Sequence, residues 1–204
     1  TLGVFLVDPG ADGVSIATEE ATNRQIHGEL SLTGAFVADA DVVGDPAGGA
    51  EILEWLLARA RLGLSALVVG VCEGALKATA EYTSERHQFG RPLSTNQAVA
   101  LRAADAYIDT EAIRAVLWSA AWRLTVGLPA NEEVAIAKWW ATEGGHRVVH
   151  STQHLHGGMG ADIDYPLHRT FLWVKQAGDT LGGGSPTLVG LGADLAVAAK
   201  EGAA

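Results

Sequence analysis

The sequence is poor in cysteine, in basic residues and in long uncharged apolar runs, and each shortage excludes something. Its one cysteine, Cys72, lies in an apolar stretch. No internal disulfide is available, and a reducing, cytoplasmic compartment is expected. Lys and Arg number 14 against 24 Asp and Glu, leaving a formal charge of −10. Such a chain repels polyanions, which argues against a general nucleic-acid or membrane-surface binder. Any anionic ligand must therefore be held by arginines placed locally. The longest charge-free apolar run, residues 62–72, covers 11 positions, short of the ~20 that a bilayer span needs. No basic segment followed by a short apolar stretch opens the chain, so no secretory signal is expected. The sequence starts at Thr1 directly in a strand-like run, as a chain with a further N-terminal region would.

Hydrophobic residues make up 48% of the 204 positions and charged residues 19%, the balance of a well-buried globular protein. Residues 1–46 read as β: "TLGVFLVD" is a short apolar run, "PGADG" a turn, and "VSIAT" a second run. "RQIHGELSLTGAFV" then alternates as a half-buried strand pair would. Gly and Pro cluster in "VVGDPAGG", the expected boundary between a segment 1–46 and a helical segment 47–204.

Helices are expected over residues 51–82, 94–126, from Asn131 to the glycines 157–158, over 166–176, and from Ser185 onward. The first is apolar on nearly every side, as a central bundle helix would be, and Gly63, Gly70 and Gly74 would admit a close neighbour. Ser94, Thr95 or Asn96 is available to cap the second and Asn131 the third; Ser185 with Pro186 opens the last. Trp118, Trp122, Trp139 and Trp140 fall at helical spacing in apolar runs and are expected in the core.

Three clusters carry possible chemistry. "EYTSERHQFGRPL" (81–93) combines Arg86, Phe89 and Arg91 at the end of the first helix. Arginine's planar fork suits phosphate, and an aromatic nearby can lie against a ring. The same arginines could equally answer the negative end of the helix. In "HSTQHLHGGMGADIDYPLHR" (150–169), His150 and His154 share one helix face with the preceding His146, and His156 and His168 are out of register. No Glu or Cys accompanies them in a ligand pattern, so no metal site is expected. Its glycines either let backbone approach an anion or simply stop the helix. "DTLGGGSPT" (179–187) is phosphate-like but lacks the Lys of a P-loop and a preceding strand.

Taken together and in this order, the clusters resemble the acyl-CoA dehydrogenase family. "YTSERHQFGRPLSTNQAV" is similar to that family's Y-x-x-x-R-x-Q-F-G-x-P-L-x-x-x-Q signature, and "HLHGGMGADIDYPLHR" to its GG-x-G-x-x-x-x-YP signature. "GVFLVD…GVSI" is similar to the end of its middle β domain. The resemblance implies a mostly α fold, the family's C-terminal helical bundle preceded by part of a β-barrel-like domain. The form "HLHGGMG…YPLHR…LGG" looks most like an actinobacterial subgroup acting on steroid side-chain CoA thioesters as two-subunit complexes.

The resemblance implies a flavoprotein that removes α and β hydrogens from an acyl-CoA, with FAD lying between subunits. By position, Arg86 would pair with the FAD pyrophosphate, and Phe89 would pack on its adenosine side. Gln88, Asn96 and Gln97 fall among the family's FAD contacts. His154 stands for the usual Gln, and Gly158 is the close-approach glycine. The family's catalytic Glu has no counterpart: counting from Tyr165 it falls on Leu181, or on Gly182 with a one-residue slip. The alternative placement in the first helix falls on Ala60–Arg61. Removal of an α-proton needs a positioned base, and Asp179 is the nearest acid. No catalytic residue is therefore expected in this chain. It reads as a non-catalytic subunit that completes the FAD site of a second acyl-CoA dehydrogenase subunit carrying the Glu, in an α2β2 assembly with an acyl-CoA substrate. The alternatives are a catalytic homomer using Asp179 and a flavin-free scaffold.

Overall fold

The computed structural model describes residues 1–201, and the chain is mostly α-helical. It divides into two compact units, Thr1–Arg59 and a second from Ala60 onward.

The first unit is built on an antiparallel hairpin, β1 (Val14–Glu20) and β2 (Ile26–Leu32), in register Val14↔Leu32 to Glu20↔Ile26. Its turn is pinned by Asn23, whose Oδ1 accepts from the Gln25 amide at 3.2 Å while its amide donates to the Gln25 side chain at 2.8 Å. "RQIHGELSLTGAFV" therefore holds one strand and not a pair, and the partner is the preceding run. "TLGVFLVD" is extended chain with a single bridge, Phe5↔Val42. The alternation in β2 suggests a half-buried strand, yet every β2 residue is exposed. No second layer covers either face of this hairpin within its unit, so alternation alone could not bury it. Helix α1 (Gly49–Glu85) begins here and continues into the second unit.

The second unit adds α2 (Gln97–Thr125), α3 (Asn131–Leu155), α4 (Leu167–Asp179) and α5 (Gly184–Glu201). A two-residue hairpin, β3 (His87–Gln88) with β4 (Arg91–Pro92), joins α1 to α2. The central helix is α3, which packs against α2, α4 and α5. It buries Val134, Ala137, Ala141, Val148 and Val149. Gly145 admits Val68 of α1 so closely that a Cβ there would lie 2.7 Å from the valine methyl. Val68, Val69 and Cys72 of α1 join Ala106, Ile113 and Leu117 of α2 and Val174 of α4 in one core cluster.

Several expectations are corrected. A Cβ on Gly63, Gly70 or Gly74 would meet nothing within 4 Å, so the close approach occurs at α3 glycines instead. Trp118 and Trp122 are 67% and 58% exposed; only Trp140 of the four packs on the core, with Trp139 edge-on to it. Asn131 is the first residue of α3, and the cap position is Ala130 without a side-chain bond. The charge-free run in α1 understates its apolar length. Allowing up to two charges, an 18-residue window of the helix reaches mean hydropathy 1.6, enough by length and composition to cross a membrane.

Candidate functional site

The two signature stretches, far apart in sequence, meet in one open cavity of about 500 Å³. From the first come Tyr82, Arg86 and Gln88; from the second, His154, His156, Gly157 and Gly158. Leu93 and Val99 supply its apolar wall. Arg86 is exposed and in no ion pair among the described residues. It does not cap α1 either: His87 Nδ1 donates to the Glu85 carbonyl at 2.9 Å. The guanidinium is therefore open to an anion, and its place one residue past the end of α1 also sets it near that helix's negative end.

Backbone geometry makes the cradle. Chain direction reverses after α1 through Phe89 and Gly90, both left-handed at φ 53° and 78°. Those two are the central residues of the hairpin in which Gln88 pairs with Arg91, the arrangement of a type I′ turn. Phe89 stands 97% exposed at the tip. On the other side α3 ends at Leu155, and Gly157 turns the chain at φ 62°. A Cβ on Gly157 or Gly158 would meet nothing within 4 Å, which leaves backbone open to a ligand.

Not every residue singled out by sequence lies in this cavity. Asn96 is spent on structure: its side chain accepts from the Ala98 amide at 3.0 Å as the N-cap of α2, and Gln97 opens that helix. Phe89 projects from the hairpin tip and is not part of the cavity wall. His154 is shared with an adjacent cavity of about 640 Å³, where Arg102 and His150 also face. His146 is apart from both cavities. Burial, and next the Lys175 charge, lower its pKa, and His150 packs edge-on to Phe171 at 4.8 Å. Among the described residues no group of three or more His, Cys, Asp or Glu is disposed to hold a metal ion.

His156 is the residue that sequence reading passed over. It is out of register with the 146/150/154 face, yet it is 2% exposed and in the cavity wall. Its Nδ1 donates to the Thr152 carbonyl at 2.8 Å, and its Nε2 is buried with no partner among the described residues. Burial lowers its pKa. The only signal in the sequence was its place directly before the two glycines.

The expected base positions come together as well. Arg61 Nε donates to the Leu181 carbonyl at 3.4 Å, joining two positions 120 residues apart. Leu181 itself is left-handed at φ 59°. Asp179 ends α4 and is exposed, with its Oδ1 toward Gly183. The Glu143 carboxylate lies against Gly184 at the start of α5, and a Cβ there would have to displace it. Beneath the loop, Lys138 is buried and donates to the Ala177 and Gly178 carbonyls at 3.0 and 2.6 Å and to Thr142 Oγ1 at 3.3 Å.

Comparison with known proteins gives these positions a setting. Residues 47–186 match the family described as acyl-CoA dehydrogenase, C-terminal domain. Acyl-CoA dehydrogenase FadE27 of Mycobacterium tuberculosis is 42% identical over 201 residues, covering 95% of this chain and 53% of that protein. The ChsE4-ChsE5 complex of the same organism is similar in structure at TM-score 0.90 and 43% identity, over 95% of this chain and 52% of that one. A variant of the Tcur3481-Tcur3483 steroid ACAD gives TM-score 0.89 and 47% identity, over 97% and 53%. The chain spans about half the length of the curated relatives it matches.

Proposed function

Because this chain belongs to the acyl-CoA dehydrogenase family, we propose that it acts within a heteromeric FAD-dependent dehydrogenase of acyl-CoA thioesters. In that complex it completes the FAD site of a partner that carries the catalytic Glu. The observation that carries this reading is the meeting of Arg86, Gln88, His154 and Gly158 in one cavity. These are four of the seven residues matched to FAD contacts. The residues fit a dinucleotide. An unpaired guanidinium suits a diphosphate, and open glycine backbone suits close approach.

When bound, FAD would supply the two-electron acceptor for α,β-dehydrogenation. The chain's own part is to hold the nucleotide end: Arg86 pairs with the diphosphate, Gly158 lets backbone approach it, and Phe89 covers the adenosine side from the exposed hairpin. Asn96 and Gln97 contribute through the start of α2, with Asn96 fixing that start by its cap. The part it leaves to a partner is proton abstraction. Leu181 and Ala60–Arg61 hold no carboxylate, and the Leu181 carbonyl is engaged by Arg61. Similarity to the ChsE4-ChsE5 complex and to a steroid ACAD supports an unlike partner subunit and a steroid side-chain thioester as substrate class. A cytoplasmic setting is in keeping with the lone, buried Cys72.

Co-expression with the partner and the variant Arg86→Ala test the reading. The expected result is a complex that assembles as before and loses bound flavin, followed by its absorbance. Flavin retained unchanged in the variant would favour a flavin-free scaffold. Full dehydrogenation by the isolated chain would instead assign the base to this subunit, with Asp179→Asn then abolishing turnover.

A further inference from the structure

A second cavity, of about 640 Å³, adjoins the nucleotide site, and His154 and Gly157 line both. Helix α2 gives it Arg102, and α3 gives it His150, Ser151, Gln153 and His154. His150 and His154 are one turn apart and lie on one face of α3, with His150 held by the Phe171 ring edge-on at 4.8 Å. Arg102, His150 and His154 are all exposed, so a ligand in the cavity has access to them. Arg102 is in no ion pair among the described residues, and none of the three side chains is taken up by a hydrogen bond there. No carboxylate among the described residues lines the cavity. The chain carries a formal charge of −10, so a cavity lined by basic groups alone is a local reversal of its field.

What these side chains offer is donors. A guanidinium only donates, in a fork that matches phosphate, and an imidazole has an N–H whether or not it is charged. The Ser151 hydroxyl and the Gln153 amide add donors of the same kind. A bare inorganic ion would fill little of a space this size, which suits a nucleotide-sized group. FAD has its phosphates inside the dinucleotide and no terminal one, so a flavin held by Arg86 leaves this cluster without a counter-charge. We infer that Arg102, with His150 and His154, forms a second binding site on this chain, for the phosphate monoester of a nucleotide. The site goes beyond the FAD reading and does not depend on it. The monoester is the 3′-phosphate of CoA or that of a free mononucleotide, and the two sources are separable.

The experiment uses the assembled complex as purified, titrated with CoA, 3′-dephospho-CoA, AMP and adenosine. In the unmodified complex the phosphate-bearing member of one pair should bind about tenfold more tightly than its phosphate-free counterpart. If CoA is the source, that gap lies between CoA and 3′-dephospho-CoA; if a free mononucleotide is, it lies between AMP and adenosine. Arg102→Gln removes the charge of an exposed side chain and should close the gap while assembly and flavin content stay as they were. Arg102→Lys keeps the charge, loses the fork and should restore part of the gap. Equal affinity within both pairs overturns the proposal, as does a gap that Arg102→Gln leaves intact. Failure of the Arg102→Gln chain to assemble overturns it too, because the counter-charge then lies on the partner subunit. Flavin lost from an assembled Arg102→Gln complex assigns Arg102 to FAD and likewise overturns it. Arg86→Ala tests the FAD reading separately: flavin retained in that variant defeats the FAD reading and leaves this site standing.

Discussion

Phe89 holds a backbone conformation that an aromatic residue rarely adopts, at φ 53°, with its side chain 97% exposed. The left-handed region costs a non-glycine residue about 1–2 kcal/mol, and an exposed ring recovers none of that by packing within the chain. Asn tolerates this region and suits the turn. Phe89→Asn is therefore expected to stabilise the fold by about 0.5–1 kcal/mol, read by denaturant titration. The same variant should weaken FAD binding in the complex about threefold to tenfold, through lost ring packing. A gain in stability without loss of affinity would remove Phe89 from the FAD site. The motif "QFG" was legible in the sequence as part of a family signature at the end of the first helix. The positive φ at Phe89 was not, since it follows from a two-residue loop closing on the Gln88–Arg91 pair.

The junction of α3 and α4 depends on Lys138. A helix leaves its last carbonyls without intrahelical donors, and two of those of α4, Ala177 and Gly178, receive their bonds from the Lys138 ammonium. With Thr142 Oγ1 as third acceptor, all three N–H donors are used. Lys138→Met takes the side-chain donor from the Ala177 carbonyl, while Gly178 keeps the Thr142 hydroxyl at 3.2 Å, and should cost about 1–3 kcal/mol. Burial pushes the Lys138 pKa down to about 8 from the ordinary 10.5, with the Asp179 charge opposing and the Arg61 charge adding to the fall. Between those two values the unfolded chain binds the proton more readily than the folded one, so stability rises with pH there. Melting curves of wild type and Lys138→Met should diverge in favour of wild type from about pH 7 to about pH 10. A constant gap would mean that Lys138 titrates normally in the fold. Nothing in "AIAKWW" announced this role: a lysine amid apolar residues reads as a solvated charge until the end of another helix is placed over it.

At the scale of the molecule, the chain leaves much apolar surface uncovered. On α2, Leu101, Ile108, Trp118 and Trp122 are more than half exposed, and on α5 so are Leu188, Val189 and Val197. The helical spacing of these residues was plain in the sequence, and it carried the expectation that Trp118 and Trp122 sit in a core. That spacing says that a face is apolar, not whether this chain supplies the surface that buries it. If this chain lends only the nucleotide-side contacts, the complex with its partner should carry one FAD for each pair of unlike chains. Flavin absorbance set against the intact mass of the purified complex checks this, and one FAD for every chain would give this subunit a complete site of its own. By itself the sequence determined the order of helices, the two signature stretches, the family resemblance and the absence of a carboxylate at the base positions, because residue types and local periodicity are properties of the chain alone. Only the tertiary structure decided that Arg86 shares a cavity with the second signature stretch, that Asn96 is taken up as a cap, and that His156 is buried. Hydrogen-bond partners and burial are set by residues distant in sequence, and no local pattern records them.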